Sequence, residues 1–300
     1  MTTVTARRLP DNPILTRFAE RRVGANVNGP SLIAVPDWVP GRLARYYLYF
    51  AHHLGGFIRM AYADHLGGPW TVHGPGVLDL GDVPYLHDHL ASPDVHVDEA
   101  AGQIVMYFHG VSDPLAFSEP PQVTCRATSS DGLRFVSEEA RLGASYFRVW
   151  RQDGWYYALS LGGQLWRSQY GRVAFEEGTI LKGLPDDTRH LAVMRKDGKT
   201  WIAWSVIGDC PERIFMGCIE GNDWTDWRVN HVQEVLRPEQ DWEGRDTPLE
   251  PSLRGLAEER VHQLRDPAFF SEAGQDYLLY AIAGEAGIAI ATLDFEGEPA

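Results

Sequence analysis

Residues 145–163, SYFRVWRQDGWYYALSLGG, hold the element on which the fold reading turns. A short run rich in Val and aromatics leads into Asp153-Gly154, and a Trp/Tyr run leads out. Asp-Gly between two such runs marks a tight hairpin, because both central residues of that turn need positive φ. The same arrangement returns in residues 189–209, RHLAVMRKDGKTWIAWSVIGD, around Asp197-Gly198. Three more units follow the pattern: residues 26–53 (NVNGPSLIAVPDWVPGRLARYYLYFAHH), 89–110 (HLASPDVHVDEAAGQIVMYFHG) and 263–295 (QLRDPAFFSEAGQDYLLYAIAGEAGIAIATLDF). Each begins polar or at a proline, alternates, turns, and continues as an apolar strand that runs on into a further one.

Five units in 300 residues give about sixty residues each, the size of a four-stranded propeller blade with long loops. A ring is the physical solution to such a repeat. One four-stranded sheet exposes two faces and two edges, whereas blades stacked around an axis bury the faces. The sequence therefore predicts an all-β, five-bladed β-propeller formed as a single domain over residues 1–300. The last strand, GIAIATLDF, is expected to close the ring against N-terminal material. Helical periodicity is absent apart from a short helix expected around Leu253–Val261. The Pro-rich residues 112–123 are expected to form an exposed loop bordering a ligand site.

Hydrophobic residues make up 44% and charged residues 23%, which is globular composition. The net charge of -14, with no Lys/Arg run, argues against nucleic acid, anionic membranes and polyanionic substrates. A small neutral ligand fits best. No stretch approaches the ~18 apolar residues that span a bilayer. The N-terminal MTTVTARRLPDNPIL has no apolar core after its basic residues, so a cytoplasmic location is expected. Cys125, Cys210 and Cys218 lack zinc or disulfide spacing. P-loop, Rossmann, nucleophile-elbow and HExxH motifs are missing, which disfavours nucleotide, hydride and serine chemistry.

The run YYLYFAHHLGGFIRMAYADHLGGPW, the unit RDPAFFSEAGQDYLLYA and the turns SSDG and DGLRF resemble the five-bladed propeller glycoside hydrolases of family 43, the arabinanase, xylosidase and arabinofuranosidase group. The resemblance implies a site at the axis, where the inner strands of several blades begin. It also implies three carboxyl groups: a base, an acid, and an aspartate that orients. An inverting pair would leave room for a water between acid and base. The chain departs from that pattern at two points. The first blade has Asn28-Gly29-Pro30 where the family places its aspartate base, and the Glu-Ala-Pro acid motif is missing.

Asp266, in Asp266-Pro267, is the expected base. Asp94, after Ser92-Pro93, either bonds backbone amides at its strand start or faces the axis as the orienting acid. Glu212 or His190 is the expected proton donor; the plainer reading pairs Glu212 with Arg213 and makes His190 a hydrogen-bonded core group. Asn28, Arg148, Arg189, Arg265, His89 and Trp242 are expected to contact substrate. Three arginines near one axis leave room for a substrate carboxylate. His87, Asp88 and His89 alternate in direction and do not read as a metal site. His52 or His53 is expected to reach the funnel. Trp242 is either a sugar platform or packed. No organic cofactor is expected; the resemblance allows a structural divalent cation in the central channel. The alternatives to hydrolysis are a lyase or isomerase on the same scaffold and a carbohydrate-binding propeller without turnover.

Overall fold

The computed structural model describes residues 2–21, 23–112 and 121–297. Residues 113–120, most of the Pro-rich piece expected to border a ligand site, lie outside the described residues. Five antiparallel sheets form the blades of a five-bladed β-propeller. Blade 1 comprises Asn28–Ala34, Tyr46–Ala51, Phe57–Ala63 and Thr71–Val72; blade 2, Leu86–Asp98, Gln103–Ser112, Gln122–Ser129 and Val136–Ala144. Blade 3 comprises Arg148–Gln152, Trp155–Leu159, Gln164–Ser168 and Glu176–Ile180; blade 4, Thr188–Lys196, Lys199–Val206, Ile214–Glu220 and Arg228–Leu236. Blade 5 takes Arg265–Glu272, Gln275–Ile282 and Gly287–Glu296 from the end of the chain and Thr3–Arg8 from its start.

That last pairing closes the ring, with Thr3 opposite Glu296 and Arg8 opposite Ala291. The expected closure of GIAIATLDF on N-terminal material is what forms. The predicted hairpin turns also form: Asp153 and Gly154 have φ of 50° and 81°, and Asp197 and Gly198 of 49° and 74°. The helix expected around Leu253–Val261 is not there. That segment crosses the end of the ring as irregular chain, because its backbone groups and carbonyls bond to neighbouring blades instead of to each other. No helix among the described residues is long and apolar enough to cross a membrane.

The strand YYLYFA shows how the blades cohere. All six residues are buried, so both faces must be covered. Tyr47 and Tyr49 join the apolar layer shared with blade 2, whereas Tyr46, Leu48 and Phe50 join the layer shared with blade 5. Period-2 alternation thus distributes one strand between two interfaces. Similar layers fill the joints between blades 2 and 3, 3 and 4, and 4 and 5.

Candidate active site at the propeller axis

Each inner strand starts with an irregularity that turns a side chain toward the axis. In blades 1, 2 and 5 the register slips by one extra residue, with the pairs Gly29-Pro30, Ser92-Pro93 and Asp266-Pro267 each opposite a single residue. Proline suits that place because it forms no ladder hydrogen bond. The residue before each proline has left-handed φ: 56° at Gly29, 48° at Ser92 and 48° at Asp266. Blade 3 has no proline there, yet Tyr146 takes the same place with φ of 68°, as the pairing of Arg148 with Leu159 and the bond from Leu161 N to Ser145 O show. In blade 4 the slip falls on Arg189 and His190. A non-glycine residue held in this region costs about 1–3 kcal/mol, and three of them cluster around one axis.

These residues close a ring. Gly29 N donates to Asp266 Oδ2 at 3.3 Å. A side chain on Gly29 would meet Ser92, whose Cα lies 3.1 Å from an ideal Cβ. The Ser92 side chain lies beside the Tyr146 phenol. The Tyr146 ring stacks on His190 with centroids 4.4 Å apart, and His190 Nδ1 contacts Asp266 Oδ1. On its other face Tyr146 meets His109 at 4.2 Å, and His109 in turn meets His89 edge-on at 5.6 Å. His190 and Asp266 are buried, whereas Tyr146 is partly exposed. Burial, with the positive charges of Arg189, Arg148 and Arg265, lowers His190 well below the usual imidazole range. Burial lowers His109 likewise, and raises the Tyr146 phenol against the opposing pull of Ser92. Asn28, next to Gly29, keeps a buried Oδ1 without a protein partner, an acceptor that a bound hydroxyl or water would satisfy.

The arginines stand behind the ring and bond mostly to protein acceptors. Arg148 donates to the carbonyls of Leu191, Ser92, Pro93 and Phe147 at 3.2–3.4 Å. Arg189 grips Glu212 through two bonds of 2.8 and 3.1 Å, and Ser205 Oγ donates to the same carboxylate at 2.7 Å. Arg265 Nε lies 3.5 Å from Glu212 Oε2, and its Nη1 lies 3.3 Å from Glu285 Oε1. Glu285 also meets His53 Nδ1 at 3.2 Å and accepts from Asn26. Burial would raise Glu285, but His53, Asn26 and Arg265 hold it below the usual carboxylate range. The chain outside the ring joins in: Leu253 O accepts from Arg189 at 2.6 Å and Gly255 O from Arg265 at 3.1 Å.

Several expectations change here. Glu212 pairs with Arg189 and Arg265 and not with Arg213, which binds Asp209 and Glu234. Asp266 meets His190 and the backbone amide of Gly29. Most of the guanidinium nitrogens face protein acceptors, and among the described residues Arg148 Nη2 and Arg189 Nη1 make no hydrogen bond to protein. Asp94 does not join Asp266 on the axis. It follows its proline instead of preceding it, and so points to the next blade: Asp94 Oδ2 accepts from Val149 N and pairs with His96 Nε2, both at 2.8 Å. Ser31 holds the same place in blade 1 and accepts from Val95 N at 2.9 Å. Asp94 is therefore a brace between blades. His89 is buried behind His109, and the two residues before it, His87 and Asp88, are exposed. Trp242 packs against the layer between blades 4 and 5, beside Glu243, which accepts from Arg8 and Tyr280 at 2.8 and 3.0 Å.

For Asp94, burial opposes ionisation, but the charge and hydrogen bond of His96, then Arg148 and Val149 N, hold its carboxyl below the usual range. His96 is raised, burial notwithstanding, by Asp94. The Asp94 contribution is complete above the ordinary carboxylate pKa and is lost as pH falls through the depressed value. The His96 contribution is complete below the ordinary imidazole pKa and is lost as pH rises through the raised value. By NMR titration, the His96 midpoint is expected above 6.5 and should drop in Asp94→Asn. An unchanged midpoint would rule the pair out in solution.

Among the described residues no group of three or more His, Cys, Asp or Glu is placed to hold a metal ion. Around the axis Asp266 is already engaged by His190 and a backbone amide, so these residues do not fit a cation in the channel. A cavity of about 900 Å³ opens at the far ends of the inner strands, lined in part by His96, Glu99, Arg45 and Glu272, away from the ring.

The sequence reading missed Ser92, Tyr146, His109, Asn26 and Glu285. Internal comparison of the repeat would have found two of them. Tyr146 is the blade 3 counterpart of Asp266, and Glu285 precedes the third strand of its blade by two residues, as Glu212 does.

No family model matches the chain. The uncharacterized protein R118 of Acanthamoeba polyphaga mimivirus is 36% identical over 323 aligned positions, spanning 95% of this chain and 89% of that one. Among solved structures, the GH43_1 enzyme from Xanthomonas citri superposes with a TM-score of 0.64 at 16% identity, over 99% of this chain and 93% of that chain. That enzyme has been solved with xylose and with xylotriose. The α-L-arabinofuranosidase from Lactobacillus brevis gives 0.63 at 13% identity, over 94% and 92%. The fold is thus that of the family 43 five-bladed propellers.

Proposed function

The chain belongs to the family of the mimivirus protein R118, and from that premise we propose a carbohydrate-active enzyme that hydrolyses a small neutral glycoside at the axial ring, with His190 and Asp266 as its acid–base pair. The observation that carries the reading is the contact of His190 Nδ1 with Asp266. With the imidazole proton on Nδ1, toward Asp266, Nε2 is the accepting nitrogen. The lowered basicity of His190 keeps that nitrogen unprotonated at neutral pH. In hydrolysis it takes a proton of the attacking water as the water oxygen bonds the anomeric carbon and the glycosidic C–O bond breaks; Asp266 stabilises the imidazolium formed, and the leaving oxygen departs as the anion or takes its proton from solvent. Glu212 is a poor donor in this reading, since its oxygens already accept from Arg189 and Ser205. The fold likeness to enzymes solved with xylose and xylotriose supports a small carbohydrate as the ligand class.

One observation favours a second reading, a carbohydrate-binding propeller without turnover. Asn28-Gly29-Pro30 stands where the resemblance implies a first-blade aspartate base, and Ser92 fills the space a side chain on Gly29 would need. A panel of aryl furanosides and pyranosides separates the two, because an aryl leaving group departs without a proton donor and tests the base alone. Turnover of one of them is the expected result. No turnover, with saturable xylose or xylotriose binding by calorimetry, selects the second reading. Neither turnover nor binding overturns both.

A further inference from the structure

We propose that Tyr146 is a substrate-contacting residue, its phenol hydroxyl bonding a sugar hydroxyl at the ring; this rests on the carbohydrate reading above. Tyr146 brings the phenol to the axial bulge positions, where the other blades carry Gly29, Ser92, Asp266 and the Arg189-His190 pair. Both faces of its ring are covered, by His190 at 4.4 Å and by His109 at 4.2 Å. A sugar cannot stack on it. What it leaves accessible is its edge and its hydroxyl, and it is partly exposed where His190, His109 and Ser92 are buried.

The two imidazoles lock the ring plane, and the left-handed backbone at φ 68° sets the direction of the side chain. The phenol is therefore held in place before any ligand arrives, so little ordering cost falls on binding. Ser92 lies beside the phenol oxygen. A phenol has one donor and accepting capacity besides, so a ligand hydroxyl completes its set. Its neighbours on both faces are uncharged imidazoles, lowered by burial. A neutral polyol suits such a place better than an ion.

The test is Tyr146→Phe, which keeps the stacked ring and removes only the hydroxyl. Thermal melting should match wild type to within a few degrees. On the aryl glycoside that wild type hydrolyses, kcat/KM should fall about tenfold, the worth of one good hydrogen bond; if wild type only binds, the Kd for xylotriose should rise by the same factor. Deoxy analogues of the best ligand give the discriminating readout. One of them should lose that factor with wild type and lose nothing further with the variant, which a merely structural role would not produce. Wild-type kinetics and affinity in Tyr146→Phe would overturn this proposal and leave the carbohydrate reading standing. A wild-type protein that neither binds nor turns over any sugar would overturn both.

Discussion

Asp266→Asn is expected to lower turnover of the aryl glycoside about 10²–10⁴-fold, the span that a positioned acid–base group supplies. The carboxylate accepts from Gly29 N and meets His190 Nδ1. An asparagine of the same size can turn its NH₂ toward Nδ1, which drives the imidazole proton to Nε2. That nitrogen then no longer accepts a proton from water. Because size and the acceptor for Gly29 N are kept, thermal melting should change little while the rate collapses. A variant at the wild-type rate would strip Asp266 of any part in the chemistry and leave it a brace between blades 5 and 1.

Glu212→Gln is expected to lower stability by about 3–5 kcal/mol in urea unfolding, the usual effect of breaking one side of a buried ion pair. Glu212 has no exposed surface, and its partner Arg189 is almost as deeply buried. With Arg265 alongside, the substitution strands positive charge between blades 4 and 5 where water cannot reach it. Glu220→Gln is the control, because its contact with His231 is exposed and such pairs contribute little. Equal stability in the two variants would show that Ser205 and the carbonyls of Leu253 and Gly255 suffice to hold the guanidiniums.

How much was readable from sequence differs between fold and site. Asp153-Gly154 and Asp197-Gly198 announced their hairpins because only a few residue types accept two successive positive φ angles. The buried strand YYLYFA announced a sheet covered on both faces. Asp266 and His190 were named as candidates, and the fold brings them into contact. Asp94 and Asp266 looked alike because each adjoins a proline. One precedes its proline and the other follows it, and in a bulge that difference sends one side chain to the axis and the other to the next blade. Tyr146 had no proline beside it to mark its bulge. Glu285 sat unnoticed in a Gly-rich turn, since its partners His53, Asn26 and Arg265 come from two distant stretches of chain and one near one.

The amino-acid sequence by itself determined the repeat, the turns and the two-faced apolar strands, since these depend on φ preferences and period-2 burial, both local properties. Closing the ring decided the rest. Gly29, Ser92, Tyr146, His190 and Asp266 are tens of residues apart in the chain and touch only because five blades share one axis. Which polar group points there, and whether each guanidinium meets a carboxylate or a carbonyl, is set by the pitch of each bulge against its neighbour and has no counterpart in local sequence.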